Sequence, residues 1–391
     1  MRRILLILML VSAVVACRED DDVVQPDVTD VGGQLSTEIA GMYVLCEGNM
    51  GSNKATLDYL DLAQGKYNKN IFPSRNPQQV MQLGDVGNDA KVYGGRLYLV
   101  VNCSNKVEVC TADSARSLGH VDIPNCRYVC FDGGYAYVSS YVGGVPAIGS
   151  ADVSSVPGCV YKIDTLTLKV AGRCTVGYQP DELCVVGRKL YVANSGGYQP
   201  FAGMDYDSTV SQIDLETFRE ERRIEVAPNL FRLRSDKYGQ LWATGRGIDD
   251  DEQLLPSRLY LLRPDSNGQM QLADSIDRVV SDLDIVGDTL FCCGTQAVGN
   301  RMTRYYGAVD VRSCSVLTDN LLSDDGSWTI QTPYGIKVHP QTRDIYVMDA
   351  TNYVSSGYLL CFSSDGSFKW KTQTGDIPGH ACWLTKTVRK D

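Results

Sequence analysis

Histidine is scarce in this chain: His120, His339 and His380 are the only three in 391 residues, too few and too scattered to suggest a zinc or haem centre. The 14 cysteines include no Cys-x-x-Cys pair. Lys and Arg number 37 against 47 Asp and Glu, the formal charge is −10, and no basic stripe appears, which argues against a nucleic-acid partner. Gly-x-Ser-x-Gly, His-Glu-x-x-His, a Walker loop and a helix-opening Gly-x-Gly-x-x-Gly are all missing. Past the N-terminal 16 residues, no apolar run is long enough to span a bilayer.

What the chain has instead is a repeat. Val186-Gly187-Arg188-Lys189-Leu190-Tyr191-Val192-Ala193-Asn194 reads as a hairpin turn followed by a short buried strand. The pattern returns at Tyr93–Asn102, Asp132–Val138, Tyr238–Ala243, Val286–Cys292 and Gln341–Asp349, and Gly41–Cys46 is a version without its first strand. Seven copies at a period of roughly 40–55 residues predict a propeller, all-β and seven-bladed. A closed propeller absorbs the whole length, so no second domain is needed.

Each repeat divides into four strands, as in Asp181–Val186, Lys189–Asn194, Thr209–Asp214 and Glu220–Val226. Asp265-Ser266-Asn267-Gly268 and Ser364-Asp365-Gly366 supply hairpin turns. The acidic residues after Asp265 do not stand at calcium-loop positions, so this segment reads as a turn. The opening unit lacks a first strand, and Gly379–Leu384 is a strand with nothing after it. The C-terminus is therefore expected to complete the first blade and remove an open sheet edge. Thirteen of the cysteines lie mostly in strand-like runs and read as buried thiols, with one or two disulfides open to an exported protein.

The N-terminus is an address. Met1-Arg2-Arg3 is basic, Ile4 to Val15 is apolar, and Val14-Val15-Ala16-Cys17 reads as a lipobox. Residues 1–16 are expected to be a lipoprotein signal peptide, Cys17 the lipidated residue, 17–40 a flexible acidic tether and 41–391 the propeller. Arg18-Glu19-Asp20-Asp21-Asp22 resembles the surface-export signal of Bacteroides-type lipoproteins, which implies an outer-membrane, lipid-anchored, surface-exposed protein.

In a propeller, the loops joining second to third strands and those leading into each first strand open on one face. Here those loops, including 46–55, 139–158, 194–208 and 293–306, are long, and length on one face of a rigid scaffold points to a site. Asn49, Asn53, Asn102, Tyr141, Asn194, Tyr198, Arg246, Tyr306 and Tyr353 fall in the second-to-third loops. Asn88, Asp89, Arg127, Tyr128, Tyr178, Tyr334 and Trp383 fall in the loops leading into first strands. Tyrosine and tryptophan offer an apolar body with a polar tip, and asparagine both donates and accepts. Such a crown suits a large amide-rich or sugar-like ligand. His380 is the one candidate acid or base, and a structural role fits it better; the Asp249–Glu252 patch reads as a solvated loop.

Tyr43-Val44-Leu45-Cys46-Glu47-Gly48-Asn49-Met50-Gly51-Ser52-Asn53 with Leu57-Asp58-Tyr59, Leu83–Ala90, Tyr98–Val109 and Tyr191–Gly197 resemble YncE-like seven-bladed lipoproteins of Bacteroides-type bacteria. The best-understood of these are BtuG-like surface lipoproteins, and Cys46 departs from the polar residue they lead one to expect. The resemblance implies a binder, not an enzyme. The expected ligand is vitamin B12 or a related corrinoid, handed to a TonB-dependent outer-membrane transporter, with no resident cofactor or metal. Two other readings stay open: an adhesion or scaffold propeller for a protein or glycan, and a propeller lyase or hydrolase acting through His380 and loop carboxylates.

Overall fold

A computed structural model describes residues 34–78, 82–143, 156–249, 254–298 and 301–390. The signal peptide, Cys17, the export run Arg18–Asp22, most of the tether, and Asp250–Glu252 lie outside the described residues. The chain forms two units. One is Ile39–Lys386; the other combines Met1–Glu38 with Thr387–Asp391, and its described residues are extended.

Ile39–Lys386 is built from seven four-stranded antiparallel sheets, together with a two-stranded ribbon. Blades 2 to 7 begin with the inner strands Gly87–Tyr93, Cys126–Asp132, Pro180–Val186, Leu230–Ser235, Asp282–Val286 and Pro333–Val338, and each continues outward in sequence order. Blade 1 is the exception. Its inner strand is Pro378–Lys390, from the C-terminus, followed by Gln34–Cys46, Thr56–Asp61 and Lys66–Asn68. The expected seven-bladed propeller and its closure by the tail strand are both present. The second strand of blade 1 starts at Gln34, inside the stretch read as tether; the β-branched, alternating Thr37-Glu38-Ile39 suits a strand.

Why the second strands read as unbroken apolar runs is now clear. Each blade is sandwiched between two neighbours, so both of its faces are buried. In blade 1, Tyr43 and Leu45 pack toward blade 2 while Met42, Val44 and Cys46 pack toward blade 7, and all five are 0% exposed. Seven hydrophobic clusters result, one between each pair of successive blades. Cys46 is the last residue of its strand and belongs to this packing, which explains why it is not polar. All thirteen described cysteines are free thiols, most of them buried. Asp265 caps its turn by accepting from the backbone N–H groups of Asn267 and Gln269, both at 2.8 Å.

The inner strands surround an axial channel of about 450 Å³ lined by all seven blades. Here carboxylates latch one blade to the next. Asp89 Oδ2 accepts from Val129 N at 3.0 Å, Glu182 Oε2 from Leu233 N at 3.1 Å, and Asp282 Oδ2 and Asp284 Oδ2 from Ile336 N and Val338 N at 2.9 Å. Cations stand between them: Lys91 lies 3.3 Å from Asp89, Arg234 lies 3.2 Å from Glu182 and 3.0 Å from Asp282, and Lys337 lies 2.8 Å from Asp284.

Glu182 shows what these latches contribute. Burial pushes its carboxyl pKa up, but Arg234, Arg232, Lys91 and the Leu233 N–H together outweigh burial and hold it down at about 2, against an ordinary 4.5. The folded value lies below the unfolded one, so the stabilisation is complete above pH 4.5 and disappears as pH falls toward 2. Glu182→Gln should therefore be less stable than the wild type at neutral pH, with the gap closing across that acid window. Tm measured against pH for both proteins tests this; a gap that stays constant on acidification would show that Glu182 ionisation is not the cause.

Candidate functional site

One backbone device repeats at the mouth of the propeller. The residue just before the inner strand has a left-handed backbone in five blades: Val86 (φ 57°), Asn125 (φ 42°), Gln179 (φ 46°), Asn229 (φ 57°) and Ile377 (φ 55°). Its carbonyl accepts from the N–H of the first residue after the second strand: Val86 from Asn102 at 2.8 Å, Asn125 from Tyr141 at 3.1 Å, Gln179 from Ser195 at 3.2 Å, Asn229 from Arg246 at 2.9 Å and Ile377 from Glu47 at 2.9 Å. In blade 7, Thr332 receives Ala350 at 3.0 Å in the same way. Glu47, Asn102, Tyr141, Ser195, Arg246 and Ala350 thus occupy equivalent positions, one in each blade but the sixth. Val86 and Ile377 are β-branched, so this conformation costs each of them on the order of 1–3 kcal/mol.

Five of the inner strands begin with a β-bulge. Register shifts fall between Gly87 and Asp89, Cys126 and Val129, Pro180 and Leu183, Leu230 and Leu233, and Pro333 and Gly335. An extra residue in a strand re-aims side chains. The residues inside these shifts are Asn88, Arg127, Tyr128, Asp181, Glu182, Phe231, Arg232 and Tyr334.

Together these devices line a cavity of about 300 Å³ at the mouth, with side chains from every blade except the sixth. Its floor is polar. Asp181 is fully buried and accepts from Arg127 Nε at 3.2 Å, Arg246 Nη1 at 3.1 Å and the Tyr141 hydroxyl at 2.8 Å. The guanidinium carbon of Arg246 lies over the Phe231 ring, 3.6 Å from its centre, and that of Arg127 over Tyr141 at 4.7 Å. Beneath them Arg232, 1% exposed, donates to the Tyr128 hydroxyl at 3.2 Å and pairs with Asp282 at 3.1 Å. Burial raises the Tyr128, Tyr141 and Tyr334 hydroxyls well above the ordinary tyrosine range, so they are neutral at physiological pH. On the opposite wall, Glu47 Oε1 meets His380 Nε2 at 3.1 Å. His380 also lines the axial channel and stands edge-on to Tyr128. On the loops above, large apolar side chains face solvent: Phe201 is 70% exposed, Val354 68% and Met50 51%.

No protein-family profile and no curated protein matches the chain. Solved structures do, at low identity. A Kuenenia stuttgartiensis hydrazine synthase chain superposes with a TM-score of 0.59 at 14% identity, over 78% of this chain and 95% of that one. A Pseudomonas aeruginosa periplasmic gluconolactonase, PpgL, gives 0.58 at 13% identity, over 88% of this chain and 99% of that one. A quinonprotein alcohol dehydrogenase-like protein from Bacteroides thetaiotaomicron gives 0.57 at 12% identity, over 89% and 79% respectively. What is shared is the fold.

Of the crown residues expected from the sequence, Asn49, Asn88, Asn102, Arg127, Tyr128, Tyr198, Arg246, Tyr334 and Tyr353 line the mouth cavity. Tyr141 braces it through Asp181, and His380 sits where cavity and channel meet. Others go elsewhere. Asp89 and Trp383 line the axial channel, where Asp89 is a blade latch. Asn53 faces a separate recess between blades 1 and 7. Asn194 is fully buried and donates to the hydroxyls of Thr209 at 3.0 Å and Ser211 at 2.9 Å. Tyr178 does not line the mouth cavity; its backbone N–H donates to Asp207 at 2.8 Å. Tyr306 is displaced for a clear reason. Residues 293–306, expected to be a loop, mostly continue the hairpin of Thr289–Val298 and Arg301–Asp310, because the strand pattern runs on past Cys293. Tyr306 therefore packs against Trp328 in the core between blades 6 and 7. Glu47 and Arg232 were missed. The signal for Arg232 was a charge inside the otherwise apolar run Leu230-Phe231-Arg232-Leu233.

Proposed function

We propose that this propeller is a binding protein that captures a corrinoid, vitamin B12 or a relative, at the cell surface for a TonB-dependent outer-membrane transporter. The observation that carries the reading is the mouth itself: a polar floor of Tyr, Asn and Arg side chains, beneath loops bearing exposed apolar residues. A corrinoid has matching chemistry, a broad apolar macrocycle fringed by carboxamides. It is too large for a cavity of about 300 Å³, so one substituent enters while the macrocycle rests on the rim. The stretches that resemble YncE-like lipoproteins supply part of that mouth, at Glu47–Met50, Asn88 and Asn102. The lipobox at Cys17 accounts for the anchor.

Binding in this reading is non-covalent and preorganised. The bulged inner strands and the backbone bonds of the mouth hold the contact residues before ligand arrives, which lowers the ordering cost of association. We assign Glu47 and His380 to positioning rather than to acid–base chemistry, since each holds the other. Calorimetry of the full chain with cyanocobalamin is expected to show saturable binding at one site per chain, with a matching rise in Tm. No heat and no thermal shift at micromolar ligand would remove the corrinoid from consideration.

A further inference from the structure

Among the described residues, the floor of the mouth is out of charge balance on one side. Arg127 and Arg246, from blades 3 and 5, converge on a single carboxylate, Asp181 of blade 4. A guanidinium has five N–H donors and cannot lose its proton at accessible pH. Each gives one nitrogen to Asp181, and among the described residues neither guanidinium makes another hydrogen bond. Both line the cavity, and each lies over an aromatic ring, Phe231 under Arg246 and Tyr141 under Arg127. Asp181 also accepts a third bond, from the Tyr141 hydroxyl at 2.8 Å, so three donors share this one carboxylate. Two fixed cations thus share one fully buried anion at the bottom of a cavity. The nearest other carboxylate in the lining, Glu47, is held by His380.

We propose that Arg127 and Arg246 form a subsite for an oxyanion carried by the ligand. The inference rests on the corrinoid reading for the identity of that group, which is the phosphodiester of the nucleotide tail. The geometry fits this partition. A tail carrying one negative charge enters the small cavity and neutralises the arginine pair, while the macrocycle remains outside on the apolar rim. Planar guanidinium forks suit phosphate oxygens better than a point charge does. The site therefore discriminates complete corrinoids from those lacking the tail.

The test compares cyanocobalamin with dicyanocobinamide, which has the ring but no phosphodiester, on the full chain by calorimetry. Cyanocobalamin should bind roughly 10–100-fold more tightly. Arg246 is about a third exposed and is the safer position to change. Arg246→Gln should bring the two affinities close together by weakening cyanocobalamin alone, and Arg246→Lys should fall between. The unliganded Tm of each variant monitors folding. A preference that survives Arg246→Gln at unchanged Tm overturns the subsite and leaves the corrinoid reading intact. If neither corrinoid binds, that reading falls, and inorganic phosphate decides the subsite: a Tm rise at millimolar phosphate that Arg246→Gln abolishes supports it, and an equal rise in both proteins overturns it.

Discussion

A chain stopped after Ile377 is expected to yield no folded monomer. The missing segment, Pro378–Lys390, is the innermost strand of blade 1. Its loss exposes the hydrogen-bonding edge of Gln34–Cys46 and takes Cys382 and Leu384 out of the cluster between blades 1 and 2. It also strips Ala381 and Trp383 from the packing between blades 7 and 1. Removing a buried leucine side chain such as Leu384 alone costs about 2–5 kcal/mol, and whole-domain stability is typically only about 5–15 kcal/mol. An unpaired edge next to newly exposed apolar surface also directs the product toward aggregation. Size-exclusion chromatography and near-UV circular dichroism should show aggregated material without fixed tertiary structure, and a synthetic peptide of residues 378–390 added during refolding should recover the monomer. A truncated chain that ran as a monomer with the wild-type Tm would mean that the closure contributes little.

The second large effect is expected at Asp282. Its carboxylate accepts from Ile336 N at 2.9 Å and pairs with Arg234 at 3.0 Å and Arg232 at 3.1 Å. Arg234 retains Glu182 if Asp282 is lost. Arg232 has no second carboxylate within ion-pairing distance among the described residues and is almost fully buried. Since arginine cannot escape by deprotonation, Asp282→Ala leaves a buried unpaired charge and an orphaned backbone N–H. The expected loss is about 3–5 kcal/mol, read as a lower urea midpoint. The double change Asp282→Ala with Arg232→Met should recover much of it, because it removes both charges. Additive losses would show that the two residues act independently. Arg232 also supports Tyr128 in the cavity floor, so the single variant should bind ligand more weakly even where it remains folded.

The architecture was legible because its cause is local and repeated. Gly-turn-apolar runs such as Lys189–Asn194 mark each second strand, and a strand buried on both faces carries a strong signal. The closure could be read from an unpaired final strand and an opening unit that lacked one. The site was legible only in outline. Placing loops on one face identified Arg127, Tyr128, Arg246 and Tyr334, but no pattern of residues shows a β-bulge. A one-residue bulge decides whether a side chain meets the mouth or the channel: Asn88 lines the first and Asp89 the second. Tyr306 was misplaced because a polar, β-branched continuation past Cys293 looks the same in a loop as in a protruding hairpin. Arg232 was missed because its role depends on Asp282, fifty residues away in sequence and across a blade boundary.

The backbone bond that brings Glu47, Asn102, Tyr141, Ser195, Arg246 and Ala350 to equivalent places uses main-chain atoms only. The frame is therefore indifferent to which side chain it presents, and six unlike residues already occupy it. A change at one of these places leaves the backbone frame as it is, but at Asn102, Tyr141 and Arg246 the side chain also bonds to a neighbouring blade, so there the seam changes along with the mouth. The side-chain chemistry of the mouth can therefore be varied one blade at a time without rebuilding its main chain.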